Sequence, residues 1–169
     1  MNKFKPRCWH LPRPSKSRYK GSYPLHFETK FKQFIRSSDY LHLFSGKAET
    51  GFKVDLKIEN KPDIVADVHH LPFRDQSFPA ALADPPYNDK YAKRLYNTPK
   101  LKLKQFTNEI VRVVKSGGII AFYHLMLFPN PDKCEYLGVI TIITRVFHHA
   151  RVVTVFQKEG RSQLLDQYL

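Results

Sequence analysis

The chain has 169 residues, of which 42% are apolar and 14% aromatic, so we expect one domain with a packed core and not a disordered chain. Lysine and arginine number 28 against 15 acidic residues, and a net charge of +13 favours a polyanionic partner, since neutralised phosphates release counterions. No apolar run approaches the ~20 residues that span a bilayer, and the basic N-terminus lacks the apolar stretch of a signal peptide, so we expect a cytoplasmic protein.

The first half of the chain combines a basic arm with one helix and four short strands. Residues 1–24 are rich in proline, lysine, arginine, serine and tyrosine without a period, which predicts an irregular arm. Two cysteines in the whole chain predict no disulfide framework, and Cys8 with His10 supplies too few ligands for a metal site. Apolar residues at helical spacing from Phe27 to Ile35 predict a short helix. Strands are predicted at 40–44, 52–56, 63–66 and 80–83.

The second half predicts a helix and three more strands. The apolar spacing from Leu103 to Val113 indicates a helix, and Gly117-Gly118 would supply its C-terminal stop. Strands are expected at 118–126, 137–147 and 150–156, the last two as an antiparallel hairpin. We therefore predict an α/β domain with a mostly parallel seven-stranded sheet. The domain would cover residues 25–160 and be followed by a tail at 161–169.

The first connections of this sheet are unusually short. Only seven residues, 45–51, separate the first two predicted strands, whereas a parallel crossover normally needs a dozen or more, usually as a helix. We therefore expect the sheet to lack the helices that normally follow strands one and two. The N-terminal arm or a second copy of the chain would have to cover the bare face, which makes a homodimer an expectation.

Polar residues follow each of the first four predicted strands. The tripeptide FSG (44–46) follows the first strand, Asp55 ends the second, and Asp67 and Asp84 follow the third and fourth. Parallel sheets bind ligands at the carboxyl ends of their strands, where strand order reverses. An acid there can accept hydrogen bonds from ribose hydroxyls or from an adenine amino group. Each aspartate alone is more often a turn residue or a helix cap, so it is the set that indicates a site.

The tetrapeptide DPPY (84–87) resembles the catalytic motif of S-adenosylmethionine-dependent DNA amino methyltransferases, which act on adenine N6 or cytosine N4. The resemblance continues in LHLFSG (41–46), in the segment 66–87 with its LPF turn, and in GSYPLHFETKF (21–31). It spans residues 21–157 and implies the Rossmann-like fold of class I methyltransferases. It also implies S-adenosylmethionine as cofactor, in a small form without a target-recognition domain.

The resemblance implies roles for particular residues. The cofactor would lie on Phe44, Ser45 and Gly46, with Asp55 on its ribose, Asp67 on its adenine and Tyr23 beside its methionine end. In the family, this loop has a second glycine two residues after the first, whereas here Lys47, Ala48 and Glu49 intervene before Gly51. This departure leaves open that the cofactor binds weakly. The catalytic positions would be Asp84, Pro85, Pro86 and Tyr87.

The chemistry of an aromatic amine explains the tetrapeptide. The nitrogen is a poor nucleophile because its lone pair is delocalised into the ring. Acceptors on both N–H bonds, the Asp84 carboxylate and the Pro85 carbonyl, would localise that pair. Proline fixes φ and removes a competing donor. Tyr87 offers a face for an extruded base, which must leave a duplex first.

The basic segment 88–100 is the expected substrate loop, and contacts to phosphate would position the nucleic acid without reading its sequence. DNA is favoured over RNA because aspartate opens the tetrapeptide, where RNA adenine enzymes more often have asparagine. The alternatives are an RNA methyltransferase acting on guanine N2 or adenine N6, and a non-catalytic nucleic-acid-binding protein that kept the fold. Packing or surface roles are favoured for His69, His70 and His124. The expected phosphate contacts are Lys90, Lys93, Arg94 and Lys100.

Overall fold

The computed structural model describes residues 7–13, 22–87, 100–145 and 148–160, and the strands among them form one sheet. Helix α1 spans Phe27–Ile35 and helix α2 spans Leu103–Val113, with a single 3-10 turn at Ile58–Asn60. The strands are β1 (Arg7–His10), β2 (Leu41–Leu43), β3 (Phe52–Asp55), β4 (Ile64–Val65), β5 (Phe78–Ala83), β6 (Val114–His124), β7 (Cys134–Ile143) and β8 (Arg151–Lys158).

The strand order is β1-β7-β8-β6-β5-β2-β3-β4. All neighbours are parallel except β8, which runs antiparallel to both β6 and β7. This confirms the predicted mostly parallel sheet with a C-terminal hairpin. The chain runs outward from β2 through β3 to β4 and then returns to β5 on the other side of β2. Strand order therefore reverses between β2 and β5, where Leu43 pairs with Ala83.

An eighth strand, β1, lies within the segment that the sequence predicted to be irregular. Arg7 to His10 pair in parallel with Ile140 to Ile143 of β7. Trp9 is the one buried residue of the four, and its ring packs against Phe27 and Phe34 with centroid distances of 6.1 and 6.3 Å. A strand with a single buried side chain shows no alternation in the sequence, which is why the pattern missed it.

Among the described residues, one α-helix packs on each face of the sheet. The aromatic residues of α1 pack against Ala80 and Leu82 of β5, together with apolar residues of β6, β7 and β8. Helix α2 packs on the opposite face, against Ala81 and Ala83 of the same strand. Strand β5 is thus buried on both sides, as its continuous apolar run predicts. No helix in the described part of the chain is long and apolar enough to cross a membrane.

The connections after β2 and β3 contain no α-helix, as predicted. Residues 44–51 join β2 to β3 as a turn, and residues 56–63 contain only the 3-10 turn. The carboxylate of Glu28 on α1 holds the first connection in place. It accepts hydrogen bonds from the backbone N–H groups of Glu49 and Thr50 at 3.0 Å each and from Thr50 Oγ1 at 3.1 Å. Helix α1 therefore takes over part of the role of the missing crossover helix.

Gly117 and Gly118 do not end a helix, contrary to the prediction. Helix α2 ends at Val113, and the next residue already has extended dihedrals as the first residue of β6. A Cβ on Gly118 would come within 2.6 Å of the Pro79 carbonyl oxygen, so this glycine allows β6 to lie close to the start of β5. Gly118 is thus needed by the sheet, and both glycines lie within β6 and not at the helix terminus.

Replacing Gly51 with alanine is expected to destabilise the fold by roughly 2–4 kcal/mol and to lower the melting temperature by roughly 5–15 °C. Gly51 has φ +81°, and a Cβ would lie 2.7 Å from Tyr40 Cε2 and 3.0 Å from the Tyr40 carbonyl oxygen. The Tyr40 ring cannot move aside because it is fully buried and its hydroxyl bonds Thr50 Oγ1 at 2.7 Å. Thermal denaturation measures the effect. Glu49→Ala, at an exposed position of the same connection, is the control, and equal melting of the two variants would contradict this account.

Candidate active site

The residues of DPPY lie where the ends of β2, β5, β6 and β8 meet. The Asp84 N–H donates to the Leu43 carbonyl at 3.4 Å, which joins the end of β5 to the end of β2. On the other side of β5, Ala83 pairs with Phe122, so Tyr123 and His124 leave β6 at the same edge. Val152 of β8 pairs with His124 in antiparallel register, which brings Arg151 to this edge as well.

Asp84 has an unusual environment for a carboxylate. Its side chain is largely enclosed, yet no described residue donates a hydrogen bond to either carboxylate oxygen. Burial raises its pKa to about 8, and the positive charge of Arg151 acts in the opposite direction. In its ionised form, Asp84 therefore keeps both oxygens to accept hydrogen bonds from a ligand.

The two prolines explain why Asp84 is unsatisfied. Aspartate commonly accepts a hydrogen bond from the backbone N–H two residues further on. Asp55 does so from Lys57 at 2.8 Å, and Asp67 does so from His69 at 2.9 Å. The corresponding residue after Asp84 is Pro86, which has no N–H. The sequence thus removes from this one aspartate the donor that the other two use.

Pro85 provides a second acceptor beside the first. The residue is buried, and no described residue donates to its carbonyl oxygen. A proline carbonyl remains a full hydrogen-bond acceptor, and the ring fixes φ of this residue. Asp84 and Pro85 therefore offer two acceptors, from consecutive residues at one edge of the sheet, that no described residue uses.

Tyr87 lies between two side chains that the sequence analysis did not assign to the site. The ring of His124 packs edge-on against it at 5.1 Å, and the guanidinium carbon of Arg151 lies 5.4 Å from the Tyr87 ring centroid. Arg151 Nε donates to the Tyr87 hydroxyl at 3.1 Å. An arginine before an apolar strand forms no motif, so only the register of β8 reveals it. His124 was visible only as the last residue of an apolar run.

His124 is held as a neutral ring. Its Nδ1 accepts the Met126 N–H at 3.1 Å, so the ring proton belongs on Nε2. Burial, followed by the charge of Arg151, lowers the pKa of His124 below its ordinary value. His124 is therefore an N–H donor, and not a cation, at neutral pH.

The connection after β2 contains the residues predicted to hold a cofactor. Phe44 has φ 54°, and its ring packs on Phe106 at 5.4 Å, so this side chain belongs to the core. The Ser45 N–H donates to the Val54 carbonyl at 3.1 Å, and its Oγ is buried with no hydrogen-bond partner among the described residues. The Gly46 N–H donates to Asp55 Oδ2 at 2.9 Å. The turn and the acid at the end of β3 therefore form one unit.

The two remaining acids keep acceptor capacity. Each oxygen of Asp55 accepts one backbone N–H, from Gly46 and from Lys57, which leaves a lone pair on each. Within the described residues, Asp67 uses only Oδ1, which accepts from the backbone N–H of His69 at 2.9 Å and contacts its Nδ1 at 2.6 Å. His69 Nε2 in turn accepts the Lys102 N–H at 2.9 Å, just before α2. His69 is thus a structural bridge as well as a neighbour of the acid.

Tyr23 lies beside β2 and near Asp84. His42 Nδ1 bonds the Thr50 carbonyl at 2.9 Å and must carry the proton, so His42 Nε2 accepts from the Tyr23 hydroxyl at 3.0 Å. The Tyr23 ring stacks on Phe27 at 4.7 Å. Burial, followed by the charge of Asp84, raises the pKa of Tyr23 well above its ordinary value. Tyr23 therefore remains a neutral phenol at the inner side of the site.

Most of the predicted basic loop, 88–100, lies outside the described residues. Lys90, Lys93 and Arg94 lie outside the described residues. Lys100 is exposed and precedes α2 by three residues. Among the described residues, no group of three or more histidine, cysteine, aspartate or glutamate side chains could hold a metal ion.

Solved structures with a similar fold include methyltransferases. TrmN from Thermus thermophilus aligns over 82% of this chain with a TM-score of 0.58 and 17% identity, and the chain spans 50% of TrmN. N-methyltransferase NodS from Bradyrhizobium japonicum WM9, in complex with S-adenosyl-L-homocysteine, aligns over 79% of this chain and 86% of its own, with a TM-score of 0.54 and 9% identity. A chain from the complex of the Haloferax volcanii Trm112 methyltransferase activator with a methyltransferase aligns over 82% of this chain and 91% of its own. Its TM-score is 0.55 and its sequence identity is 13%.

No family model and no curated protein matches the sequence. Identities of 9–17% show the fold alone. The protein therefore has the class I, Rossmann-like fold of S-adenosylmethionine-dependent methyltransferases, as its sequence predicted. The narrower resemblance to DNA amino methyltransferases continues to rest on the sequence motifs.

Proposed function

We propose that this protein is an S-adenosylmethionine-dependent methyltransferase that acts on an exocyclic amino group of a nucleobase, with adenine N6 in DNA as the first acceptor to test. The observation that carries the proposal is the pair of unused acceptors at Asp84 and Pro85. Both lie at the topological switch point, next to the turn that follows β2. A largely enclosed carboxylate without a donor is unfavourable for the free protein, and an amino group would supply the missing donor.

The reaction follows from this geometry. One N–H of the amine donates to the Asp84 carboxylate and the other to the Pro85 carbonyl, which localises the nitrogen lone pair. The cofactor, when bound, supplies an electrophilic methyl group on a sulfonium. As the new N–C bond forms, the C–S bond breaks and its electron pair stays on sulfur. The proton that the nitrogen must lose passes to the ionised form of Asp84, which a pKa raised to about 8 makes a stronger base than an ordinary carboxylate.

The residues after β2, β3 and β4 fit the cofactor. The buried Ser45 hydroxyl lacks a partner, which a bound ligand would provide. Asp55 keeps a lone pair on each oxygen for two ribose hydroxyls, and Asp67 Oδ2 is unused and can accept from an adenine amino group. Phe44 would contribute its backbone, because its ring is packed on Phe106.

A nucleic-acid substrate is supported by charge and by aromatic surface. The net charge of +13 favours a polyanion, and Tyr87 offers a ring on which an extruded base can stack. The aspartate that opens the tetrapeptide is the reason for testing DNA before RNA. A homodimer remains a prediction, which light scattering of the purified protein would test.

Incubation with S-adenosylmethionine and separate pools of single-stranded DNA, duplex DNA, tRNA and rRNA tests the proposal. Mass spectrometry of the digested nucleosides is expected to find N6-methyladenine in DNA. A methylated guanine or adenine in RNA would keep the chemistry and correct the substrate. If no nucleoside is modified, the proposed activity is wrong. Calorimetry with S-adenosylmethionine then separates a cofactor-binding protein with another acceptor from a nucleic-acid binder that has lost cofactor binding.

A further inference from the structure

Arg151 has donors that no other described residue uses. Its Nε bonds the Tyr87 hydroxyl at 3.1 Å, and its guanidinium carbon lies 5.4 Å from the Tyr87 ring centroid. No described residue accepts a hydrogen bond from either terminal nitrogen of Arg151, although the side chain is half-buried. A guanidinium has five N–H donors, and four of those of Arg151 have no acceptor among the described residues.

The positive charge of Arg151 also has no ion-pair partner among the described residues. The charge of Arg151 lowers the pKa of the nearby Asp84, but burial outweighs this effect and raises that pKa to about 8. Asp84 is therefore mainly protonated at neutral pH and does not neutralise Arg151. A half-buried cation next to a protonated acid favours a ligand that brings its own negative charge.

We propose that Arg151 binds a phosphate adjoining the base that stacks on Tyr87, so that the site selects a nucleotide unit over a nucleoside or a simple amine. This inference rests on the proposed function and specifies its substrate class. The planar guanidinium matches the geometry of phosphate oxygens and binds them through two parallel hydrogen bonds. The Nε bond to Tyr87 fixes the plane of the guanidinium, so the base platform and the phosphate donor are held as one unit.

A thermodynamic cycle on a short DNA acceptor tests this contact. The wild-type protein and Arg151→Gln are compared on an oligonucleotide with one target base and on copies with a neutral methylphosphonate at one linkage beside that base. Arg151→Gln should lower kcat/KM on the natural oligonucleotide by about 10- to 100-fold, as expected for one charge-assisted hydrogen-bonded contact. A methylphosphonate at the contacted linkage should lower the wild-type value by a similar factor. Combining the two changes should give little further loss, because both remove the same contact.

Matched variants separate a phosphate contact from a structural role. Arg151→Lys keeps the charge and should retain much of the preference for the natural phosphate over the methylphosphonate. Arg74→Gln removes an exposed arginine before the amino end of β5, at the opposite edge of the sheet, and should behave as wild type. The salt dependence of oligonucleotide binding should lose about one unit of slope in Arg151→Gln only. Melting curves of all variants confirm that they are folded.

The outcomes distinguish this inference from the proposed function. If, for every methylphosphonate, the combined fold-loss in kcat/KM equals the product of the two single fold-losses, Arg151 does not contact a phosphate beside the target base. An equal loss on deoxyadenosine and on the oligonucleotide would likewise overturn the inference. If no protein methylates any acceptor, the proposed activity fails, and the same cycle is then read by fluorescence anisotropy of the labelled oligonucleotides. In that assay, affinity losses from Arg151→Gln and from the methylphosphonate that are not additive in free energy would support the phosphate site independently of catalysis.

Discussion

Replacing Asp84 with asparagine is expected to lower methyl transfer by about 100- to 1,000-fold or more, the range for loss of one preorganised electrostatic partner. Asparagine keeps the size of the side chain and one acceptor oxygen, but it lacks the charge and cannot take up the proton that the amine releases. Cofactor binding should remain nearly unchanged, because the predicted cofactor contacts lie on Ser45, Asp55 and Asp67. Labelled methyl transfer and calorimetry with S-adenosylmethionine measure the two effects separately.

The same variant is expected to be more stable than the wild type at alkaline pH. In the unfolded chain Asp84 ionises near its ordinary value of 3.8, whereas the folded pKa is about 8. Between these values folding takes up a proton, so wild-type stability falls as pH rises, by at most ~1.4 kcal/mol per pH unit. Asparagine needs no proton. The melting temperature of Asp84→Asn should therefore exceed that of the wild type at about pH 8 and approach it at about pH 4.

A matched change at an exposed acid provides the control for both measurements. Asp39→Asn removes one negative charge where the side chain is exposed and forms no hydrogen bond with described residues. It should leave activity and the pH dependence of melting as in the wild type. Loss of cofactor binding in Asp84→Asn, or full activity with normal binding, would show that the role assigned to this carboxylate is wrong.

The parts of the fold that could be predicted are those whose local pattern is sufficient. Strand β5 is a continuous apolar run because it is covered on both faces, and α1 and α2 show helical spacing because each covers one face. Strand β1 has a single buried residue and is held by its pairing with β7, so its existence depends on distant sequence. Gly117 and Gly118 resemble a helix stop but lie within β6, where Gly118 allows the close approach to β5.

The candidate site divides in the same way. DPPY is contiguous, and the missing N–H of Pro86 is visible in the sequence as the reason why Asp84 stays unsatisfied. Arg151 reaches the site only because Val152 pairs with His124 in the antiparallel part of the sheet. The bond between His69 and the Lys102 N–H links segments 33 residues apart, and no local pattern encodes it. Residues that belong to one turn were thus predictable, whereas residues brought in by strand register were not.

The value of kcat/KM is expected to rise with pH and to level off above a midpoint near pH 8. Asp84 must be ionised to polarise the amine, and its pKa is about 8 because burial disfavours the charged form. Below the midpoint each pH unit should lower the rate about tenfold. The other titratable groups near Asp84 are not expected to produce this midpoint. The pKa of His124 is lowered, and burial and the charge of Asp84 raise those of Tyr23 and Tyr123 well above this range.

The charge of Arg151 offers a way to assign that midpoint. Arg151 lowers the pKa of Asp84, so Arg151→Gln should move the midpoint to higher pH, while Arg74→Gln should leave it unchanged. Cofactor affinity, measured over the same pH range, should not follow the profile, because the predicted cofactor contacts do not include Asp84. A midpoint near pH 6, or one that does not respond to Arg151→Gln, would assign the titration to another group. The carboxylate of Asp84 would then not be the group whose ionisation controls methyl transfer.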